Sequence, residues 1–181
     1  DDWLTTIIVH EYTHIVHLDK SDGSPEFLRN IFGRFFLLFP NLFQPSWVIE
    51  GIATHKETDL DRGIGRGQST MFATMMREEV SNGVMPISHV NLPVHTWPAG
   101  TTRYLYGVYF MRFIAEKYGE DKLHDWLEQY SDNLIPFFIN TNANKTFGKD
   151  LTALWEEYQQ WLEGMFQPQI DAINSKGIKK G

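Results

Sequence analysis

The sequence predicts a mainly α-helical fold, and three observations carry that prediction. Apolar residues recur at helical spacing through most of the chain, Ser, Thr and Asp stand where helix N-caps are needed, and alternating strand patterns are scarce. Clusters of Gly, Pro, Asn and Ser separate the periodic segments, and no internal repeat is visible.

The first helix carries Trp3, Leu4, Ile7, Ile8, Ile15 and Leu18 at helical spacing, with Asp1 or Asp2 as its cap, and is expected to be buried. Asp19-Lys20-Ser21-Asp22-Gly23-Ser24-Pro25 is dense in turn formers and predicts a loop. From Phe27 to Phe43 aromatic residues crowd among leucines and isoleucines. A surface for lipid or an apolar partner is one reading; a buried helix broken at Pro40 is the commoner one and is expected here.

Pro45-Ser46 reads as a helix start with Ser46 as N-cap, running from Trp47 to Lys56. Asp61 to Gly67 is a glycine-rich, cationic loop, either facing a substrate carboxylate or carbonyl or serving as a plain connector. Ser69 caps a helix to Val80, closed by Ser81-Asn82-Gly83. Pro86 to Gly100 predicts a long loop with His89 and His95 in it. Thr101 or Thr102 opens a helix that Gly119 stops after Tyr118, and Asp121 to Tyr130 gives another. Asn140 to Asn144 reads as a turn-rich break. Asp150 then caps a final amphipathic helix with Leu151, Leu154, Trp155, Tyr158, Trp161 and Leu162 on its apolar stripe.

Composition narrows the function. At 181 residues, 42% hydrophobic and 14% aromatic, the chain has the size and content of one domain with a sizeable core. A net charge of -7 and no basic run beyond Lys179-Lys180 argue against nucleic acid as a partner. No stretch reaches the roughly 20 apolar residues of a transmembrane segment. No targeting signal is visible, and the opening so close to His10 suggests an excised portion of a longer protein.

The chemistry begins at His10-Glu11-Tyr12-Thr13-His14. Residues four apart lie one turn above each other on a helix, so His10 and His14 aim two imidazoles at one spot. Two neutral imidazoles are good zinc ligands but leave a tetrahedral site half filled. Glu11, one residue round the helix, reaches the edge of that spot, where it can take a proton from metal-activated water. Such a pair also arises by accident, but unpartnered imidazoles in an apolar helix are costly to bury. With no cysteine in the chain, further ligands must be His, Asp or Glu.

Glu50 fits that need. Trp47-Val48-Ile49-Glu50-Gly51-Ile52-Ala53 is apolar on both sides of one carboxylate, an expensive place for a charge unless a cation meets it. Arg62, Arg66 and Arg77 are the other cations available to it. Gly51 and Ala53 are small, as expected if this helix packs closely on the first so that Glu50 reaches His10 and His14.

Taken together, His10-Glu11-Tyr12-Thr13-His14 and Trp47-Val48-Ile49-Glu50-Gly51-Ile52-Ala53 resemble the gluzincin metallopeptidases. There HExxH supplies two histidines and a glutamate on the next active-site helix supplies the third ligand. Tyr104-Leu105-Tyr106-Gly107, on the helix ending at Tyr118-Gly119, is similar to the Tyr-x-x-Gly segment of the aminopeptidase N family. Its first tyrosine steadies the transition state, which the resemblance carries to Tyr104, with Tyr106 as the fallback and aromatic packing as the plain alternative for both. Over nearly its whole length the chain also resembles a bacterial group of peptidase-MA-like domains. The matching pieces are Phe32-Gly33-Arg34, Phe39-Pro40-Asn41, Gln44-Pro45-Ser46-Trp47, Glu50-Gly51-Ile52-Ala53 and Arg103-Tyr104-Leu105-Tyr106-Gly107. The metzincin pattern does not match, because His17 and Lys20 stand where it needs a glycine and a third histidine. His17 then either borders the site or lies on the helix surface.

The resemblance implies a zincin-like, gluzincin catalytic helical subdomain whose upstream β-sheet is largely absent. Residues 1–174 would be the catalytic domain, a fragment of a longer chain, and 175–181 a flexible tail. It implies one Zn2+ per chain on His10, His14 and Glu50, with Glu11 as general base and Tyr104 as oxyanion stabiliser, acting on a peptide or protein substrate. A periplasmic or extracellular location and a C-terminal propeller of TolB-like repeats are further implications, with neither an export signal nor a propeller in this sequence. The exopeptidase motif that anchors a substrate amino group is absent, which leaves endopeptidase against aminopeptidase action open. A non-catalytic zincin-like binding or scaffold domain is the alternative, and a zinc hydrolase of non-peptide amides or esters is a third.

Overall fold

The computed structural model describes residues 3–92, 95 and 97–177, and among these the chain is mainly helical with no strand. In order the helices are α1 (Trp3–Asp19), α2 (Gly23–Phe32), α3 (Ser46–Lys56), α4 (Thr70–Asn82), α5 (Ile87–Val90), α6 (Thr102–Tyr118), α7 (Glu120–Ser131), α8 (Ile139–Phe147) and α9 (Leu151–Ser175). Short 3-10 turns at Phe36–Leu38 and Pro40–Phe43 join α2 to α3. The expected caps at Asp1 or Asp2 and the basic pair Lys179-Lys180 lie outside the described residues.

α6 is the axis of the core. Leu105 to Met111, Phe113 and Ile114 are buried, so the helix is apolar on nearly every side. Phe110 meets Trp47 of α3 at 5.0 Å and Trp155 and Tyr158 of α9 at 5.5 and 5.4 Å between ring centroids. Such ring pairs each add about 0.5–1.5 kcal/mol beyond the area they bury.

α3 lies backbone to backbone on α6. A Cβ at Gly107 would fall 2.3 Å from the Trp47 carbonyl oxygen, and one at Gly51 would fall 2.7 Å from the Gly107 Cα. The expectation that Gly51 is small to admit the first helix is therefore corrected: only hydrogen fits between Gly51 and α6. α1 also packs on α3.

Several helix ends follow the sequence. Ser69 Oγ accepts from Phe72 N at 3.1 Å, Asp150 accepts from Ala153 N at 2.9 Å, and Gly119 closes α6 at φ 98°. Others differ for physical reasons. Ser46 is the first helical residue rather than the cap, because Asn91 Oδ1 accepts from both its N–H and its hydroxyl. The loop expected through Pro25 is cut short: the Asp22 side chain accepts from Gly23 N, and Gly23, Ser24 and Pro25 form the first turn of α2. α5 interrupts the loop expected from Pro86 to Gly100. Asn140 to Asn144 lie inside α8, not in a break. There buried Asn142 donates to Gln129 O and accepts from Asn133 Nδ2, tertiary bonds that offset its weak helix propensity.

Two burial expectations are overturned. In α1 only His10 and His17 are buried, while Trp3, Leu4, Ile7, Ile8, Ile15 and Val16 face outward. The helix meets the rest of the chain through its histidine stripe, so its apolar side has no cover among the described residues. The segment from Phe27 to Phe43 is likewise not a buried helix. Leu38 and Phe39 are buried, whereas Phe27, Phe32, Phe35, Phe36 and Leu42 are exposed.

Candidate metal centre

His10 and His14 project from one face of α1 toward Glu50, which stands on the first half of α3. The two Nε2 atoms are 3.1 Å apart, and Glu50 Oε2 lies 3.4 Å from that of His10 and 3.3 Å from that of His14. A tetrahedral ion with bonds of about 2.0–2.1 Å holds its ligand atoms about 3.3–3.4 Å apart, so a triangle of this size suits one. Glu50 Oε2 is buried, close to both imidazoles, yet receives no hydrogen bond of acceptable geometry, and His14 Nδ1 is also unpartnered. A buried carboxylate oxygen without a donor is what a cation satisfies. Two imidazoles and one carboxylate form a donor set suited to a zinc-like ion, with a position left for a further ligand. None of the three arginines considered beside Glu50 takes it: Arg66 pairs with Glu57, Arg77 bonds Gln169 and Thr74, and Arg62 stands near Asp59.

Glu57 is the residue that sequence reasoning missed. Its side chain is fully buried, with Oε2 2.9 Å from His10 Nδ1. Its seven-residue spacing from Glu50 was the available signal, since two turns return a side chain to the same face. Arg66 binds both Glu57 oxygens at 2.7 Å, and its guanidinium covers the Tyr104 ring at 4.9 Å. Arg66 Nη2 also stands 2.9 Å from His10 Nδ1. The carboxylate is the stronger acceptor, so Nδ1–H donates to Glu57 and the Nε2 lone pair is left for the centre. The cationic loop thus turns Arg66 inward. Gly65 makes this possible: at φ 94° a Cβ would sit 2.5 Å from the Thr58 backbone.

The charges agree with this arrangement. Burial opposes ionisation of Glu57, but hydrogen bonds from Arg66 and His10 hold its pKa down at about 2. Burial likewise opposes a charge on His10, and the Glu50 and Glu57 carboxylates close to its two ring nitrogens outweigh that and raise its pKa to about 9. The metal-free cluster therefore carries a proton that an ion must displace.

The other candidates separate clearly. Glu11 is exposed at the edge of the centre. Two grooves meet at it, one of about 800 Å3 on the His14 side and one of about 540 Å3 that includes His10, Arg66 and Tyr104. The Tyr104 ring is 6.2 Å from that of His10. Burial first, then the negative charge of Glu50, raises the pKa of its phenol above 10. Tyr106, the fallback, is fully buried and its hydroxyl is bound to Glu79 and to Met85 N, which makes it a core residue. His17 is buried one turn beyond His14, with neither ring nitrogen bonded. His89 and His95 are exposed and line neither groove. Comparison of the chain with protein-family models, curated proteins and solved structures found no match.

Proposed function

We propose that this chain is a zinc-dependent peptidase of the gluzincin type, a zincin-like helical domain with His10, His14 and Glu50 as ligands. The observation that carries the reading is the convergence of the three ligand atoms within 3.1–3.4 Å around a buried carboxylate oxygen that has no donor. When bound, zinc supplies a Lewis acid that makes water more acidic and polarises a carbonyl oxygen.

The chain's own groups supply the rest. Glu57 fixes the tautomer and ring orientation of His10, and Arg66 keeps Glu57 ionised. Glu11 is open to both grooves, so its carboxylate can take a proton from the attacking water and pass it to the leaving amine. Tyr104 keeps its own proton through neutral pH and is poised to donate a hydrogen bond to the carbonyl oxygen as negative charge builds there.

The test is digestion of a complex peptide mixture read by mass spectrometry, with zinc content measured in parallel and Glu11→Gln protein as control. Internal cuts absent from the control are expected. Stepwise loss of N-terminal residues would make the protein an aminopeptidase. A folded, zinc-loaded chain that cuts nothing would replace the peptidase reading with that of a non-catalytic binding domain.

A further inference from the structure

The larger groove is continuous with the centre and, unlike the smaller one, carries its charged residues only at its ends. Glu11, His14, Ile15 and Leu18 fall on one face of α1 by their helical spacing and form one wall. Phe36, Phe39 and Leu42 form the other. The walls are apolar except at the two ends, where Glu11 and His14 stand at the centre and the ion pair of Asp19 with Arg34 stands beyond Leu18. From Glu11 to Asp19 the helix rises about 12 Å, the length of three to four residues of extended peptide. On the other side of Glu11 the groove wall carries Trp3 and Ile7 as well as His10, Glu57, Arg66, Ser69 and Tyr104, so both directions offer apolar surface and this one adds the Glu57–Arg66 ion pair beside the centre.

Phe36 extends the apolar surface outward. Its ring meets Phe35 at 5.2 Å and Phe43 at 6.2 Å, and Phe43 meets Phe137 at 5.7 Å. Phe35, Phe36 and Phe137 are all exposed.

We propose, resting on the peptidase reading, that this groove is the substrate's specificity subsite and receives an extended apolar peptide segment on one side of the scissile bond, with a large side chain such as Phe or Leu next to the cut. The occupant is argued from continuity. His14 belongs both to the groove and to the centre, and Glu11 lines the groove beside it, so a chain lying in the groove delivers its next peptide bond to Glu11. A volume of about 800 Å3 lies within the usual range for ligand pockets, about 300–1,000 Å3, and excludes no large side chain. A charged residue between the two ends would lose its water without gaining a partner. Ile15, Phe36 and Leu42, rather than the metal ligands, would then set the preference.

The experiment uses the zinc-loaded chain carrying Glu11→Gln, which holds substrate without turning it over. Blocked hexapeptides of Gly, Ala and Ser with a single Phe or a single Asp are titrated in by calorimetry. Phe peptides should bind about tenfold tighter or more. Phe36→Glu and Leu42→Glu, added separately at these exposed positions, should each abolish that difference with zinc content and helical circular dichroism unchanged. In the chain with native Glu11, apolar residues should be enriched at one position beside the cut, and which side identifies the direction of the peptide. Equal binding of Phe and Asp peptides, or a preference that both variants leave intact, overturns the subsite. Vesicles of phosphatidylcholine that bind the chain through Phe36 while peptides do not would also overturn it and give the surface to lipid. If the native chain cuts nothing, the peptidase reading fails, and the binding series still decides the groove.

Discussion

Glu57 Oε2 lies 2.9 Å from Nδ1 of His10, across the imidazole from the Nε2 that faces His14 and Glu50. The ring is thus held at both edges, by Glu50 of α3 and by Glu57, which follows the last turn of that helix. Because Arg66 neutralises Glu57, the acceptor stays ionised and the proton stays on Nδ1.

Glu57→Gln removes that charged acceptor while keeping the shape of the side chain. Zinc affinity should fall about 10–100-fold, read by competition with a chromophoric chelator. An unchanged affinity would mean that the protein scaffold alone orients His10.

Gly107→Ala should destabilise the fold by about 1–3 kcal/mol, since the new methyl group meets the Trp47 carbonyl oxygen and α3 must move away. For a chain of this size each kcal/mol shifts Tm by about 2–4 °C. Zinc affinity should drop with it, because α3 carries Glu50. Gly164→Ala is the contrast: nothing stands within 4 Å of its Cβ, so this mid-helix change should raise Tm slightly. The two substitutions moving Tm in the same direction would contradict the packing argument.

Tyr104→Phe deletes only the hydroxyl proposed to donate to the developing oxyanion. Turnover should fall about 10²–10³-fold with zinc content and KM little changed. Full activity in this variant would remove Tyr104 from the mechanism.

His17 is buried, and burial first, then the charge of His14, pushes its pKa down to about 4. The unfolded chain titrates near 6.5, so between those values it binds more protons than the folded one, and stability must fall as pH drops from 6.5 toward 4. His17→Leu should flatten that part of the stability profile, by a few kcal/mol at most. Urea titrations with chelator at pH 7, 5.5 and 4.5 would show it; parallel profiles for the two proteins would exclude His17 as the acid-sensitive group.

What local rules govern was legible in the sequence. The four-residue spacing of His10 and His14 needs only a helical turn to bring their Nε2 atoms together, and the caps at Ser69, Asp150 and Gly119 depend on atoms a few residues apart. Glu50 was legible too, because a lone carboxylate in an apolar helix signals a partner. Glu57 repeats its face two turns on, but its role exists only once Arg66 folds back through Gly65. Burial was the part that periodicity could not assign. The apolar spacing in α1 and the crowd of phenylalanines before Pro45 look the same in sequence whether they meet a core or open surface. Tertiary packing turned the histidine stripe of α1 inward and left those side chains outside, because Gly51 and Gly107 bring α3 and α6 together and the core closes around them. The spacing of His10 and His14 was therefore set by the chain's local geometry, and the approach of Glu50 and the shape of the grooves by contacts between distant segments.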